Sequence, residues 1–151
     1  MQSNRALIIK NLFECNAILI PYDTDANHEP CLKKGKKAHW CITTGCAFRI
    51  SSNRFNEMLN ESDLMERPII DLKSTKLKTD DLIRLVDESS DLSLLCKQGK
   101  SKHLKLFQFD ELVKSNKNLY DVDDSKDSGD FVIPEEGIGH TLCDKFVLIN
   151  H

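Results

Sequence analysis

The run AHWCITTGCAFRI, residues 38–50, constrains the fold more than any other part of the chain. It is apolar enough to lie in the interior of a sheet, so it demands strands on both flanks. Candidate partners are Ala17–Ile20, predicted to stop at Pro21, then Leu92–Cys96, the FVIP segment and a final LCDKFVLIN strand. Helical spacing of Leu7, Ile8, Leu12 and Cys15, with Asn16 ending the segment, predicts a helix before the first strand. Strands outnumber helices, and several are joined by turns too short for crossovers. The expected architecture is α+β with a mostly antiparallel sheet.

Between the strands the chain is polar. Tyr22 to Lys37 reads as a loop, punctuated by Pro30 and Gly35 and carrying Lys33, Lys34, Lys36 and Lys37. Residues 51–90 read as a polar insertion, with a short helix around Phe55, Met58 and Leu59. A second helix there would be capped by Thr79-Asp80-Asp81 and run through Val86. A short helix in FQFDELVKSN takes Asp110 as its cap. Asp121–Asp130 is a polar turn, and Gly137 and Gly139 mark a loop before the last strand.

Length and charge narrow the classes. One domain accounts for 151 residues, and a domain of that size can bury a real core. With 24 acidic against 21 basic side chains the net charge is −3, which argues against a general nucleic-acid binder. The longest apolar runs fall far short of the roughly 20 residues a spanning helix needs. The N-terminus lacks a signal-peptide cleavage pattern. Six cysteines without a CxxC pair read as reduced thiols, so the expected location is cytoplasmic.

His39 is the densest clue to chemistry. It begins the long strand directly after the lysine-rich loop, where a backbone can hold an imidazole rigidly with one nitrogen accessible. Trp40 falls on the opposite face by the strand's period of two. A metal reading competes: His28, Cys31, His39 and Cys41 form H-x2-C-x7-H-x-C, a set of donors zinc accepts, although the spacing matches no standard finger. The expectation is no metal and no cofactor. The four lysines would favour an acidic ligand. No cysteine is placed as a nucleophile: Cys15 falls late in its helix, and Cys41, Cys46, Cys96 and Cys143 fall within strands.

LIPYDTDANHEPCLKKGKKAHWCITTG (19–45), CKQGKSKHLKLFQFDELVKSN (96–116) and IPEEGIGHTLCDKFVLIN (133–150) resemble, in the same order, the actin maturation protease family. The resemblance implies a papain-like, C39-peptidase-like fold. It implies a cytosolic cysteine aminopeptidase that removes the N-terminal acetylated residue from immature actin. In that scheme His39 is the general base. Gln98, at the end of the strand after the histidine strand, would orient the imidazole through its carbonyl oxygen, with a polar turn residue as the plainer reading. Lys100 and Ser101 would be peripheral. Lys33, Lys34, Lys36 and Lys37 would meet actin's acidic N-terminus.

Two departures stand out. Lys36 takes the place of a histidine in the family segment, and nothing in residues 1–18 matches its Gln…Cys-Gly nucleophile segment. The expectation is therefore the C-terminal, sheet-bearing part of one cysteine-peptidase domain, with the nucleophile outside this chain and no activity alone. The alternatives are a catalytically inactive module that binds the actin N-terminus and a structural zinc domain.

Overall fold

The computed structural model describes residues 4–49, 78–89, 91–121 and 135–150. In chain order it has helix α1 (Arg5–Phe13), strands β1 (Ala17–Thr24), β2 (Pro30–Cys31) and β3 (Ala38–Phe48), and helix α2 (Thr79–Glu88). Strands β4 (Leu92–Gln98) and β5 (Lys105–Gln108), helix α3 (Phe109–Lys117), a single turn α4 (Ile138–Thr141) and strand β6 (Val147–Ile149) follow. The sheet order is β2-β1-β3-β4-β5, with β6 also paired to β1, and every pairing is antiparallel. The α+β antiparallel expectation holds. FVIP, the Phe55 helix, nearly all of the 121–130 turn and most of the 51–90 segment lie outside the described residues.

The long central strand is where the sequence puts it, because its alternate residues serve two environments. Cys41 and Thr43 are buried towards the helices, whereas Trp40 and Thr44 are exposed on the other face. The pairing with β4 shifts register between Thr43 and Gly45, a bulge that lets Cys46 and Phe48 return towards the core. Ile8, Ile9 and Leu12 of α1, Val86 of α2 and Phe109, Leu112 and Val113 of α3 close over Ile18, Ile20, Leu94 and Phe107. Burying side chains of this size stabilises by about 1.5–3 kcal/mol each. Arg5 ties two helices together: its guanidinium donates to the carbonyls of Val86 (2.8 Å) and Ser89 (3.0 Å) at the end of α2 and lies over the Phe109 ring. Unsatisfied carbonyls at a helix C-terminus make that a favourable place for a cation.

Several local expectations are corrected. Leu7 is 44% exposed, and Cys15 lies beyond the helix. Cys15 adopts φ 63° while its N–H and that of Asn16 bond back to the Leu12 and Asn11 carbonyls, so it ends α1 in a Schellman turn. Pro21 does not stop β1. It stands opposite Trp40 where no strand pairs with its other flank, between the end of β6 pairing at Leu19 and the start of β2 pairing at Asp23. No ladder bond on that flank needs its missing N–H. The 22–37 loop accordingly contains the end of β1 and the whole of β2. Asp110 does not cap α3; it sits in the first turn, where a carboxylate suits the helix dipole. The last strand is only Val147–Ile149, because residues 138–144 form α4 and a turn that includes Cys143.

Candidate functional site

His39 stands second in β3, opposite Tyr22 of β1. Tyr22 is wholly buried, packs its ring 5.6 Å from that of Phe107, and donates its hydroxyl to the His28 carbonyl at 3.2 Å. Burial is the main reason its phenol is pushed far above the ordinary value. The imidazole is therefore held at the rim of the core, half-buried, while Trp40 next to it points away and is 42% exposed. β4 ends with Gln98 opposite Cys41, two residues from His39 on the same face, so the turn after β4 comes level with the imidazole. Lys100 in that turn places Nζ 3.4 Å from His39 Nε2. An ammonium can only donate, so a hydrogen bond here requires the tautomer with an unprotonated Nε2.

Gln98 is 4% exposed and lies near His39, as the register requires. Its Oε1 accepts the backbone N–H of Lys100 at 2.9 Å, and its carbonyl accepts that of Ser101 at 3.2 Å. Its Nε2 is buried with no hydrogen-bond partner among the described residues. The amide thus builds the turn that carries Lys100.

The lysine loop is a built structure. Asp23, wholly buried, accepts the N–H groups of Lys33 and Gly35 on Oδ2 (2.8 Å each) and that of Lys37 on Oδ1 (3.1 Å). Ser115 of α3 fixes the Asp23 main chain: its Oγ accepts the Asp23 N–H at 2.9 Å and lies 2.7 Å from the Cys31 carbonyl, to which it donates. Lys34 donates its N–H to Asn118 Oδ1 (2.8 Å), and its carbonyl accepts from Tyr120 (3.2 Å) and Asp121 (2.6 Å). Peptide groups wound round one buried carboxylate leave the lysine side chains outward; Lys33, Lys34 and Lys37 are exposed. Lys105 performs a similar service for the β1–β2 turn, donating to the Asn27 carbonyl at 2.7 Å and pairing with Glu29.

The remaining candidates separate from the site. His28, Cys31, His39 and Cys41 do not converge, and among the described residues no group of three or more His, Cys, Asp or Glu could hold a metal ion. Cys41 and Cys96 are buried side by side; the hydrogen bond that Cys41 gives Cys96, together with burial, pushes the Cys41 thiol up. Burial pushes Cys46 to about 11 and raises Cys31 as well. Cys15 is exposed just beyond the C-terminal end of α1. Cys143 lies 3.2 Å from the Lys117 carbonyl. Lys100, expected to be peripheral, lies against the imidazole, and Asp23 is the residue that sequence reasoning missed.

Fold and site define an α+β domain presenting a half-buried histidine at one end of an antiparallel sheet, flanked by an ordered lysine loop and a lysine at the imidazole. Residues 1–47 match the family profile described as the actin maturation protease-like C-terminal domain. Over 97% of its length the chain is 33% identical to the actin maturation protease of Danio rerio, covering 47% of that protein. It is 33% identical to that of Homo sapiens, covering 42%, and 28% identical to that of Drosophila melanogaster, covering 41%. The chain resembles the C-terminal part of the actin maturation proteases and spans less than half the length of these curated relatives. No solved structure matches. Among the described residues no helix is long and apolar enough to cross a membrane.

Proposed function

We propose that the chain is the histidine-bearing part of an actin maturation protease, a papain-like cysteine aminopeptidase that releases the acetylated N-terminal residue of immature actin. The observation that carries this reading is the fixed setting of His39, at a strand start beside the lysine loop, in a chain related to proteins of that name. His39 takes the proton of a cysteine thiol, and the thiolate attacks the carbonyl carbon of the acetylated residue. The protonated imidazole then gives its proton to the leaving amine, and water hydrolyses the thioester. In this reading the thiol comes from outside these 151 residues: Cys41 and Cys96 are buried together, burial raises Cys31 and Cys46, and Cys15 and Cys143 lie in the turns that follow α1 and α4. Gln98 acts by fixing the neighbouring turn, with a lone pair of Oε1 left for the imidazole N–H. Lys33, Lys34, Lys36 and Lys37 receive the acidic residues of the actin N-terminus, a cytoplasmic partner.

The test is His39→Ala in a protein that also carries the nucleophile segment, followed by mass spectrometry of actin N-termini. Loss of a general base lowers turnover by roughly 10²–10⁴-fold. Normal processing by a folded variant removes His39 from the mechanism. The chain's lack of a suitably placed thiol also favours a second reading, a non-catalytic module that binds actin's N-terminus. That module would bind an acidic peptide and gain no activity when the nucleophile segment is supplied.

A further inference from the structure

We propose that Lys100 is a specificity-determining residue: its ammonium takes a side-chain carboxylate of the substrate next to the reacting bond and, in doing so, leaves the imidazole of His39. The inference rests on the function proposed above and names a recognition element of the same site.

Three observations carry it. The backbone under Lys100 is fixed, because buried Gln98 holds its N–H at 2.9 Å and the N–H of Ser101 at 3.2 Å. The Lys100 side chain is exposed above that anchor, so the ammonium moves while its origin stays. Three other lysines have protein oxygens as partners: Lys97 Nζ the Lys102 carbonyl (2.6 Å), Lys105 Glu29 and the Asn27 carbonyl, and Lys33 Nζ the Thr24 carbonyl (3.4 Å). Lys100 instead faces a ring nitrogen at 3.4 Å, and among the described residues no carboxylate pairs with it.

The chemistry follows from donor and acceptor strength. A neutral imidazole nitrogen is a weaker partner for an ammonium than a carboxylate oxygen, whose hydrogen bond is charge-assisted. While Lys100 donates to Nε2, that lone pair is occupied. A substrate carboxylate at the site draws the ammonium away and returns the lone pair, so an acidic ligand changes the hydrogen bonding of the base as it binds. A ligand with amides in place of carboxylates does neither. No covalent step is involved.

The experiment uses the 151-residue chain and two fluorescent N-acetylated peptides, one with aspartate and glutamate as its first residues and one with asparagine and glutamine there. Affinities are measured by anisotropy, and the ring nitrogens of His39 are followed by ¹⁵N NMR. The expected result is tighter binding of the acidic peptide, reduced about fivefold in Lys100→Gln and retained in Lys100→Arg, with the amide peptide unaffected. The His39 Nε2 resonance moves on adding the acidic peptide and does not move so in Lys100→Gln. If the wild-type chain prefers the acidic peptide and Lys100→Gln prefers it equally, the Lys100 assignment is wrong while the proposed function stands. If the wild-type chain does not distinguish the peptides, both fall.

Discussion

The carboxylate of Asp23 and the backbone N–H of Gly35, twelve residues apart, are joined by a buried 2.8 Å hydrogen bond. Together with the bonds to Lys33 and Lys37, it organises a loop of like-charged side chains about a single hidden negative charge. Replacing Asp23 by Ala leaves three N–H donors without their acceptor, at about 1–3 kcal/mol for each that water cannot reach. Asp23→Asn keeps only one accepting oxygen. Both variants should unfold at lower urea, Ala more so, and the lysine-loop amides should lose hydrogen-exchange protection. Unchanged midpoints would mean the loop is held by Asn118 and Asp121 alone.

Gly35 and Gly137 offer a matched pair. Both have positive φ, 101° and 77°. A Cβ at Gly35 would run into the Asp121 carbonyl and the Ile138 side chain, whereas at Gly137 it meets nothing within 4 Å. Gly137, with ψ 165°, sits in a region essentially reserved for glycine, so Gly137→Ala should show only the backbone cost, about 1–3 kcal/mol. Gly35→Ala should lose clearly more and should also disturb α4. Equal losses measured by urea denaturation would mean that the loop and α4 are not packed as described.

The extent to which the sequence was readable differs between elements for physical reasons. β3, β4 and α3 declare themselves through apolar runs and helical spacing that their burial then uses. Pro21 misleads because the rule for proline depends on whether a neighbouring strand needs its N–H, which is a property of the sheet and absent from the local sequence. Cys15 misleads because a non-glycine residue in the left-handed position carries no signature. At the site, His39 is visible from its strand start and basic neighbours. Lys100 is not, since its meeting with His39 depends on β3–β4 register and on the turn that Gln98 makes. A carboxylate such as Asp23, satisfied by backbone groups, looks in the sequence like any loop aspartate.

Tyr22 supplies a pH dependence of definite sign. Burial raises its folded-state pKa above the ordinary 10.0, so the folded chain keeps the neutral phenol where the unfolded chain ionises it. The stability from this residue is intact below pH 10.0 and declines as the pH rises beyond that value. Urea denaturation from pH 8.5 to 11 should show a steeper loss for the wild type than for Tyr22→Phe. At neutral pH the variant should give up about 1 kcal/mol with the bond to the His28 carbonyl. Parallel pH profiles would place the phenol in contact with water.

Replacing Lys33, Lys34, Lys36 and Lys37 together by Gln tests the loop as a receptor. Exposed charge pairs contribute about 0.2–1 kcal/mol each and weaken with salt. Processing of actin, or binding of its N-terminal peptide, should fall more at low than at high ionic strength, and only for acidic N-termini. Equal behaviour towards acidic and neutral peptides would reduce the lysines to a solvated turn.

β6 covers the rim of β1 from Ala17 to Leu19, the stretch where that strand would otherwise offer unpaired N–H and C=O groups to the surroundings. Bare strand rims of this kind are templates on which other chains add. The three residues Val147–Ile149 therefore work as a guard against self-association, and Asn116 helps to hold their approach by donating to the Lys145 carbonyl at 3.0 Å and to Pro21 at 2.8 Å. Shortening the chain before Val147 would change its solubility before it touched the histidine.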